Sequence, residues 1–406
     1  LMADLALRRS GASILPKVDA LVIDEAHDLE DTAAEHLGLR FTSVGAAVLL
    51  GRLWSGRRQR GLLARSDADE RLRRQVDDTR KTARRFFAEL GTWAETTSEG
   101  GTATLHEGFP VDDTLSPRLR ELAADLGRST AALSDEDLAL ELAARARHLE
   151  SAADSLEGIV VPRDGEVRWV AQGSRGTLAL SSAPIAVGSL LGEVLWERHR
   201  TVVLTSATLA TGRPPSFAFL RTRLGLEDAD ELGVGSPFDY ARQARIVLRS
   251  DIPDPVSAPG DYEAALPAAV LEAVRRTEGG AFVLFTGYGA MRRTAEAVRH
   301  ELHADGLEVL VQGEDLERPA LLERFRRGGA VLFGVSSFWQ GVDVPGHALR
   351  HVVIARLPFE VPTHPLQRAR ADRIESDGRS AFTELSLPVA ALWLKQGFGR
   401  LIRSSN

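Results

Sequence analysis

The sequence predicts an α/β protein: parallel sheets covered by helices, interrupted by a mostly helical insertion. Three observations carry this prediction. Short apolar runs rich in Val, Ile, Leu and Phe recur along the chain, and polar or glycine-containing segments follow most of them. Helical patterns intervene between the later runs, as in doubly wound sheets. Between about 40 and 170 the pattern gives way to Ala, Leu, Glu, Asp and Arg at helical spacing.

Taken in order, Val18–Ile23 reads as a first buried strand. Arg52–Arg85 is highly charged, Gly91–Pro110 is a Gly/Thr-rich break, and Ser116–Leu156 has helical periodicity. Thr201–Thr205 returns to the strand pattern, and the Pro-rich Asp251–Pro259 reads as a linker. Strands are then expected at Ala281–Phe285, Glu308–Gln312, Ala330–Val335 and His351–Ala355, with helices at Ala264–Arg276, Ala290–His303 and Pro319–Arg327. The organisation expected is 1–40 and 171–250 as parts of one unit, 41–170 as the insertion, and 251–406 as a second unit. Chemistry in such sheets gathers beyond the carboxyl ends of the strands, so the tails of these runs are where functional residues are sought.

The chain of 406 residues has 50 basic and 57 acidic side chains and a net charge of −7, so nucleic-acid binding must come from local basic patches. One such patch is Arg52–Arg85, with twelve basic residues against five acids. Within it Arg57, Arg58 and Arg60 are candidate contacts to a nucleic-acid backbone, and a solvated helix laced with ion pairs is the alternative. There is no cysteine, which excludes disulfides, thiolate zinc sites and an iron–sulfur cluster ligated within this chain. No apolar run approaches the ~20 residues of a membrane helix. Cytoplasmic location is the expectation.

Four motifs carry chemistry. Leu21-Val22-Ile23-Asp24-Glu25-Ala26-His27 ends a strand in two consecutive carboxylates. In phosphoryl-transfer ATPases such a pair holds Mg²⁺ through the first acid and orients the attacking water through the second. A strand cap before an acidic helix start is the plainer account. Ser206-Ala207-Thr208 offers two hydroxyls flanking Ala after another strand, suited to hydrogen-bonding the His and carboxylates of the first motif; a helix N-cap explains it as well. In Gly341-Val342-Asp343-Val344-Pro345-Gly346, Gly341 permits close backbone approach and Asp343 can accept from a ribose hydroxyl or an arginine. In Gln396-Gly397-Phe398-Gly399-Arg400-Leu401-Ile402-Arg403, the two arginines lie on one helical face, able to reach a γ-phosphate.

The order Asp-Glu-Ala-His, Ser-Ala-Thr, Gly-Val-Asp, Gln-x-x-Gly-Arg-x-x-Arg resembles superfamily 2 helicases. Ser236-Pro237-Phe238, Phe285-Thr286-Gly287-Tyr288, Ser337 to Asp343 and Leu357-Pro358-Phe359 make it more closely similar to the DinG/XPD family of DNA helicases. That resemblance spans nearly the whole chain and is weakest in the insertion. It implies RecA-like motor domains with ATP between them, an arch-like insertion, single-stranded or forked DNA as partner, and ATP-driven translocation on single-stranded DNA that unwinds duplex with 5′→3′ polarity, as in DNA repair. It names no protein partner. Carried over by motif, Asp24 holds Mg²⁺ and Glu25 is the catalytic base. His27, Ser206 and Thr208 couple hydrolysis to movement, and Gly341 and Asp343 line the nucleotide cleft. Gln396, Arg400 and Arg403 face the phosphates, with Arg403 the finger. Thr286 and Tyr288 lie near DNA.

One part of the pattern is missing. A phosphate loop requires Gly-Lys, and the residues before Lys17, Lys81 and Lys395 are Pro16, Arg80 and Leu394. The chain is therefore expected to be an incomplete helicase, its first motor domain lacking the phosphate-binding half, and not to hydrolyse ATP alone. Two other readings stand beside it: a non-catalytic DNA-binding or regulatory remnant of the fold, and a metal-dependent nuclease using Asp24, Glu25, Asp28 and Asp31.

Overall fold

The computed structural model describes residues 1–9, 13–65, 70–106, 108–131, 133–173, 176–236, 238–314, 316–335, 338, 344, 346–359, 364–399 and 401. Gly341, Asp343, Arg400 and Arg403 lie outside the described residues.

The first unit begins with α1 (Met2–Arg9), β1 (Ala20–Ile23), a 3₁₀ turn at Ala26–Asp28 and α2 (Leu29–Leu37). It resumes after the insertion with α7 (Gly188–Leu191), a π-helical turn at Gly192–Trp196, β6 (Thr201–Leu204), α8 (Ala218–Leu224) and the short α9 (Tyr240–Gln243). β1 and β6 pair in parallel, Ile23 against Leu204. Leu5, Leu29, Ala33, Leu191, Leu195 and Leu224 form the core beside them.

The insertion runs from β2 (Leu39–Thr42) through α3 (Ser43–Leu53), α4 (Glu70–Thr97), β3 (Thr102–Thr104), α5 (Leu115–Thr130), α6 (Glu136–Val160), β4 (Glu166–Gln172) and β5 (Leu178–Pro184). Its helices are amphipathic, and Leu50, Val76, Phe86, Leu122, Leu149 and Leu156 meet in one cluster. Thr42 caps α3 by accepting from Gly45 N at 2.9 Å, and Asp135 caps α6 through Leu138 N at 3.0 Å. The insertion also holds a four-stranded antiparallel sheet in the order β2-β5-β4-β3, which the helical reading of this stretch did not contain. β3 lies in the Gly/Thr-rich break, while the sheet runs past the 41–170 expected for the insertion: β2 starts at Leu39, and β5 falls in the stretch expected for the first unit. The sheet joins to the first unit where α2 ends: a Cβ at Gly38 would lie 2.2 Å from Ser182 O, so only glycine fits there.

The second unit contains α10 (Pro259–Arg275), β7 (Ala281–Leu284), α11 (Tyr288–Ala304), β8 (Glu308–Val311), α12 (Arg318–Arg326), β9 (Ala330–Gly334), β10 (His351–Ile354), α13 (Pro365–Ser376), a π-helical turn at Phe382–Ser386 and α14 (Leu387–Phe398). The strands make an all-parallel sheet in the order β10-β7-β9-β8. One face packs under α10 and α11 through Val274, Val283, Met291 and Phe333, and the other under α12 through Phe282, Leu310, Phe325 and Leu332. All six apolar runs read as buried strands in the sequence are parallel strands. One helix departs from the sequence division at 251: Leu366 and Ala369 of α13 pack in the core of the first unit.

Candidate functional site

The parallel pairing of β1 and β6 brings two strand tails together across 181 residues of sequence. Thr205 N donates to Ile23 O at 2.9 Å and Ala26 N to Thr205 O at 3.1 Å, so the carboxylates after β1 stand beside the hydroxyls after β6. Asp24 is exposed; its Oδ1 accepts from Glu25 N at 2.9 Å and lies 3.5 Å from the Thr205 hydroxyl. Thr205 was not singled out in the sequence, although its place after a strand is the signal that marked Ser206.

Glu25 takes left-handed backbone angles, φ 51° and ψ 41°, without being glycine. Such strain persists only where its surroundings hold it. Here it turns the chain from the strand into the 3₁₀ turn that carries His27. The Ser206 hydroxyl donates to Glu25 Oε2 at 3.2 Å and lies 2.9 Å from His27 Nδ1. Thr208 is buried, and its hydroxyl is 3.3 Å from that of Ser206. Gln396 of α14 completes the cluster: its Nε2 is 2.7 Å from His27 Nε2 and donates to Thr208 Oγ1 at 3.2 Å. When Gln396 donates to Nε2, the His27 proton belongs on Nδ1, facing Ser206 or the Glu25 carboxylate 3.3 Å away. The structure thus brings Glu25, His27, Ser206, Thr208 and Gln396 into one network that joins the two sheets.

Thr286 and Tyr288 lie elsewhere, at the carboxyl end of β7. Both are exposed, and the Tyr288 hydroxyl accepts from Gln312 Nε2 at 2.9 Å while Arg292 covers its ring. Thr286, Gly287, Tyr262, Arg293 and Arg356 line a cavity of about 470 Å³ at this edge. Arg293 is paired with Glu263 at 2.7 Å, and Arg356 lies over the Tyr262 ring. Burial raises the Tyr262 hydroxyl above its ordinary pKa, against the opposing pull of Arg356.

Arg57, Arg58 and Arg60 sit in the turn after α3, closed by Ser55 N donating to Arg60 O at 2.8 Å. All three are exposed. The cations of α4 differ: Arg74 pairs with Glu70, Arg80 with Asp77 and Lys81 with Asp78, while Arg73 stacks on Trp54. The ion-paired helix and the basic patch expected over 52–85 are therefore two neighbouring features.

Residues 270–406 match the family model described as Helicase C-terminal domain. The chain is 32% identical over its whole length to the ATP-dependent DNA helicase YoaA of Escherichia coli, covering 61% of that protein. It is 33% identical over 97% of its length to the ATP-dependent helicase DinG of Mycobacterium tuberculosis, covering 57% of it. Over nearly its whole length the chain is thus similar to ATP-dependent helicases named YoaA and DinG. Over 96% of its length it is also 27% identical to a Bacillus subtilis protein named 3'-5' exonuclease DinG, covering 46% of it. It spans less than two thirds of the length of each of these relatives. Its fold is similar to the structure of S. tokodaii Xpd4, with TM-score 0.55 and 16% identity over the whole chain and 74% of the other.

No helix among the described residues is long and apolar enough to cross a membrane. Among the described residues no group of three His, Cys, Asp or Glu is placed to hold a metal ion. The four acids of the nuclease reading are not gathered: Asp28 stands against His27 at 3.3 Å and Asp31 is paired with Arg370 at 2.6 Å. Asp24 suits a different mode, since Mg²⁺ at phosphoryl-transfer sites takes one or two carboxylates plus substrate phosphates and waters.

Proposed function

We propose that this chain forms part of an ATP-driven DNA helicase that moves 5′→3′ on single-stranded DNA and opens duplex or forked substrates in the cytoplasm. The observation that best supports the reading is the path from Glu25 through Ser206 and His27 to Gln396. It connects a carboxylate at the edge of one sheet to a helix following the other. A motor needs such a connection, because hydrolysis at one sheet must be felt by the second.

Each residue has a task in this reading. Asp24 holds Mg²⁺, which when bound neutralises charge on the phosphates. Glu25 takes the proton of the attacking water, and Ser206, bonded to one carboxylate oxygen, fixes the direction of the other. His27 and Thr208 report the state of that carboxylate to Gln396. Arg400 and Arg403 follow Gln396 by four and seven residues in sequence; in this reading Arg403 stabilises charge on the transferring group. Gly341 and Asp343 contact the nucleotide. DNA phosphates run past Thr286 and the amides at the start of α11, and across the turn of Arg57, Arg58 and Arg60.

The test uses the polypeptide carrying this chain together with a phosphate loop. Glu25→Gln is expected to lower DNA-stimulated phosphate release by about 10²–10⁴-fold while leaving ATP binding near wild type. Asp24→Asn is expected to weaken Mg²⁺-dependent nucleotide binding. Equal loss of nucleotide affinity in both variants overturns the assignment. Residues 1–406 alone, without Gly-Lys, are expected to release no phosphate.

A further inference from the structure

Helix α13 lies in sequence between β10 and α14, and both of those pack on the second sheet through Val352, Ile354 and Trp393. Its own buried side chains go the other way. Leu366 enters the core of the first unit beside Leu29 and Ala33. Arg370 is only 4% exposed and spends its guanidinium on first-unit atoms. Its Nε donates to Ile185 O at 3.1 Å and its Nη1 to Asp31 Oδ1 at 2.6 Å. Its Nη2 is 3.0 Å from Glu30 Oε1, and the other Glu30 oxygen accepts from Arg223 of α8. His364, which precedes the helix, meets the Trp169 ring edge-on at 5.5 Å between centroids, and Arg368 reaches Glu99 at the end of α4 at 3.3 Å.

The place of the clamp matters. Glu30 and Asp31 occupy the first turn of α2, which follows directly on the 3₁₀ turn holding His27. Burial pushes the Glu30 carboxyl up, opposed by Arg223 and Arg370. A buried guanidinium shared between carboxylates is not released without stranding its partners. After α13 the chain runs through Asp377–Ser380, all exposed, with Gly378 at φ +75°. That segment contributes nothing to either core; its side-chain ties are surface ion pairs of Arg379 with Asp377 and Glu384.

We propose that α13 is a strap that stays on the first unit while the second sheet moves, and that Arg370 is the positioning residue that fixes it there and sets the place of the α2 turn, hence of His27 against Gln396. The purpose of the strap rests on the motor reading above. Its position can be tested without nucleotide turnover, so failure of either leaves the other to its own experiment.

The chain has no cysteine, so paired spin labels can be attached at introduced cysteines without background. One pair is Glu35→Cys with Arg373→Cys, joining α2 to α13; the other is His300→Cys with Arg373→Cys, joining α11 to α13. In otherwise wild-type chain the first distance distribution is expected to be narrow and the second broad. Arg370→Gln is expected to broaden the first and to shift the ring-nitrogen NMR signals of His27; Arg370→Lys, which lacks the planar fork, should do the same to a lesser degree. Equal widths for the two pairs in the wild-type background overturn the strap. An unchanged first width in Arg370→Gln removes Arg370 from it. If Arg370→Gln does not fold, Asp31→Asn replaces it, with broadening supporting the clamp and an unchanged width overturning it.

Discussion

The two parallel sheets are built from the same kind of apolar run and end in opposite conditions. In the second unit β7 and β9 are buried along their whole length, with Phe282, Val283, Leu332 and Phe333 at 1% exposure or less. In the first, β1 and β6 alternate between exposed and half-buried residues, and Val22 and Val203, paired in register, are 72% and 46% exposed. A run of β-branched residues therefore fixes a strand but not its burial, which depends on what lies on either side. The open sheet ends in the strained Glu25 and the exposed Asp24. The closed sheet provides anchored backbone for the edge near Thr286.

The sharpest way to break this contrast is to empty each sheet in turn. Phe333→Ala in the closed sheet is expected to cost about 3–5 kcal/mol, read as a lower denaturation midpoint of the second unit. Val22→Ala in the open sheet should stay within about 0.5 kcal/mol. Comparable losses would mean the two sheets are equally packed in solution.

Gly38→Ala probes the joint between the first unit and the insertion. Its Cβ would press on the Ser182 carbonyl, and a loss of about 1–3 kcal/mol is expected from overpacking, seen by hydrogen exchange as weakened protection in β2 and β5. Protection lost only in the second unit would contradict the joint.

The insertion and the closed sheet can also be compared as the two proposed DNA surfaces. Reversing Arg57, Arg58 and Arg60 to Glu is expected to lower affinity for single-stranded DNA of every sequence alike. The salt slope should flatten by about 0.7 log units per log unit of salt for each phosphate that is no longer neutralised. Reversing the ion-paired Arg74 should change the slope less. An unchanged slope in the triple variant would remove this turn from the proposed DNA contacts.

The smallest effect is a titration. In the first unit the backbone amide of Leu15, joined by that of Ile14 and by Arg8, holds the Asp4 carboxyl at about 2. Its folded value lies below the unfolded one. The stability it contributes is therefore present above the ordinary carboxylate range and is lost as pH falls through about 2. Asp4→Asn should remove that part of the acid dependence in the first unit and leave the second unit's acid unfolding unchanged.

The sequence by itself determined the strands and their tails. Six apolar runs became six parallel strands because β-branched residues favour extended backbone whether or not the strand is then buried, and the polar residues after them fell at the sheet edges. It also marked the motif residues, since carboxylates and hydroxyls directly after strands can be named without coordinates. Only the tertiary structure decided the partnerships. Gln396 meets His27 across 369 residues, and Arg370 meets Asp31 across 339, because folding brings distant helix faces together. Arg370 carried no local signal: one of three arginines in a largely polar helix looks the same in sequence whether it is solvated or clamped between carboxylates. The antiparallel sheet of the insertion was hidden for a related reason. Its strands are three to seven residues long and pair in part across more than 130 positions, so their stability comes from neighbours that no local window contains.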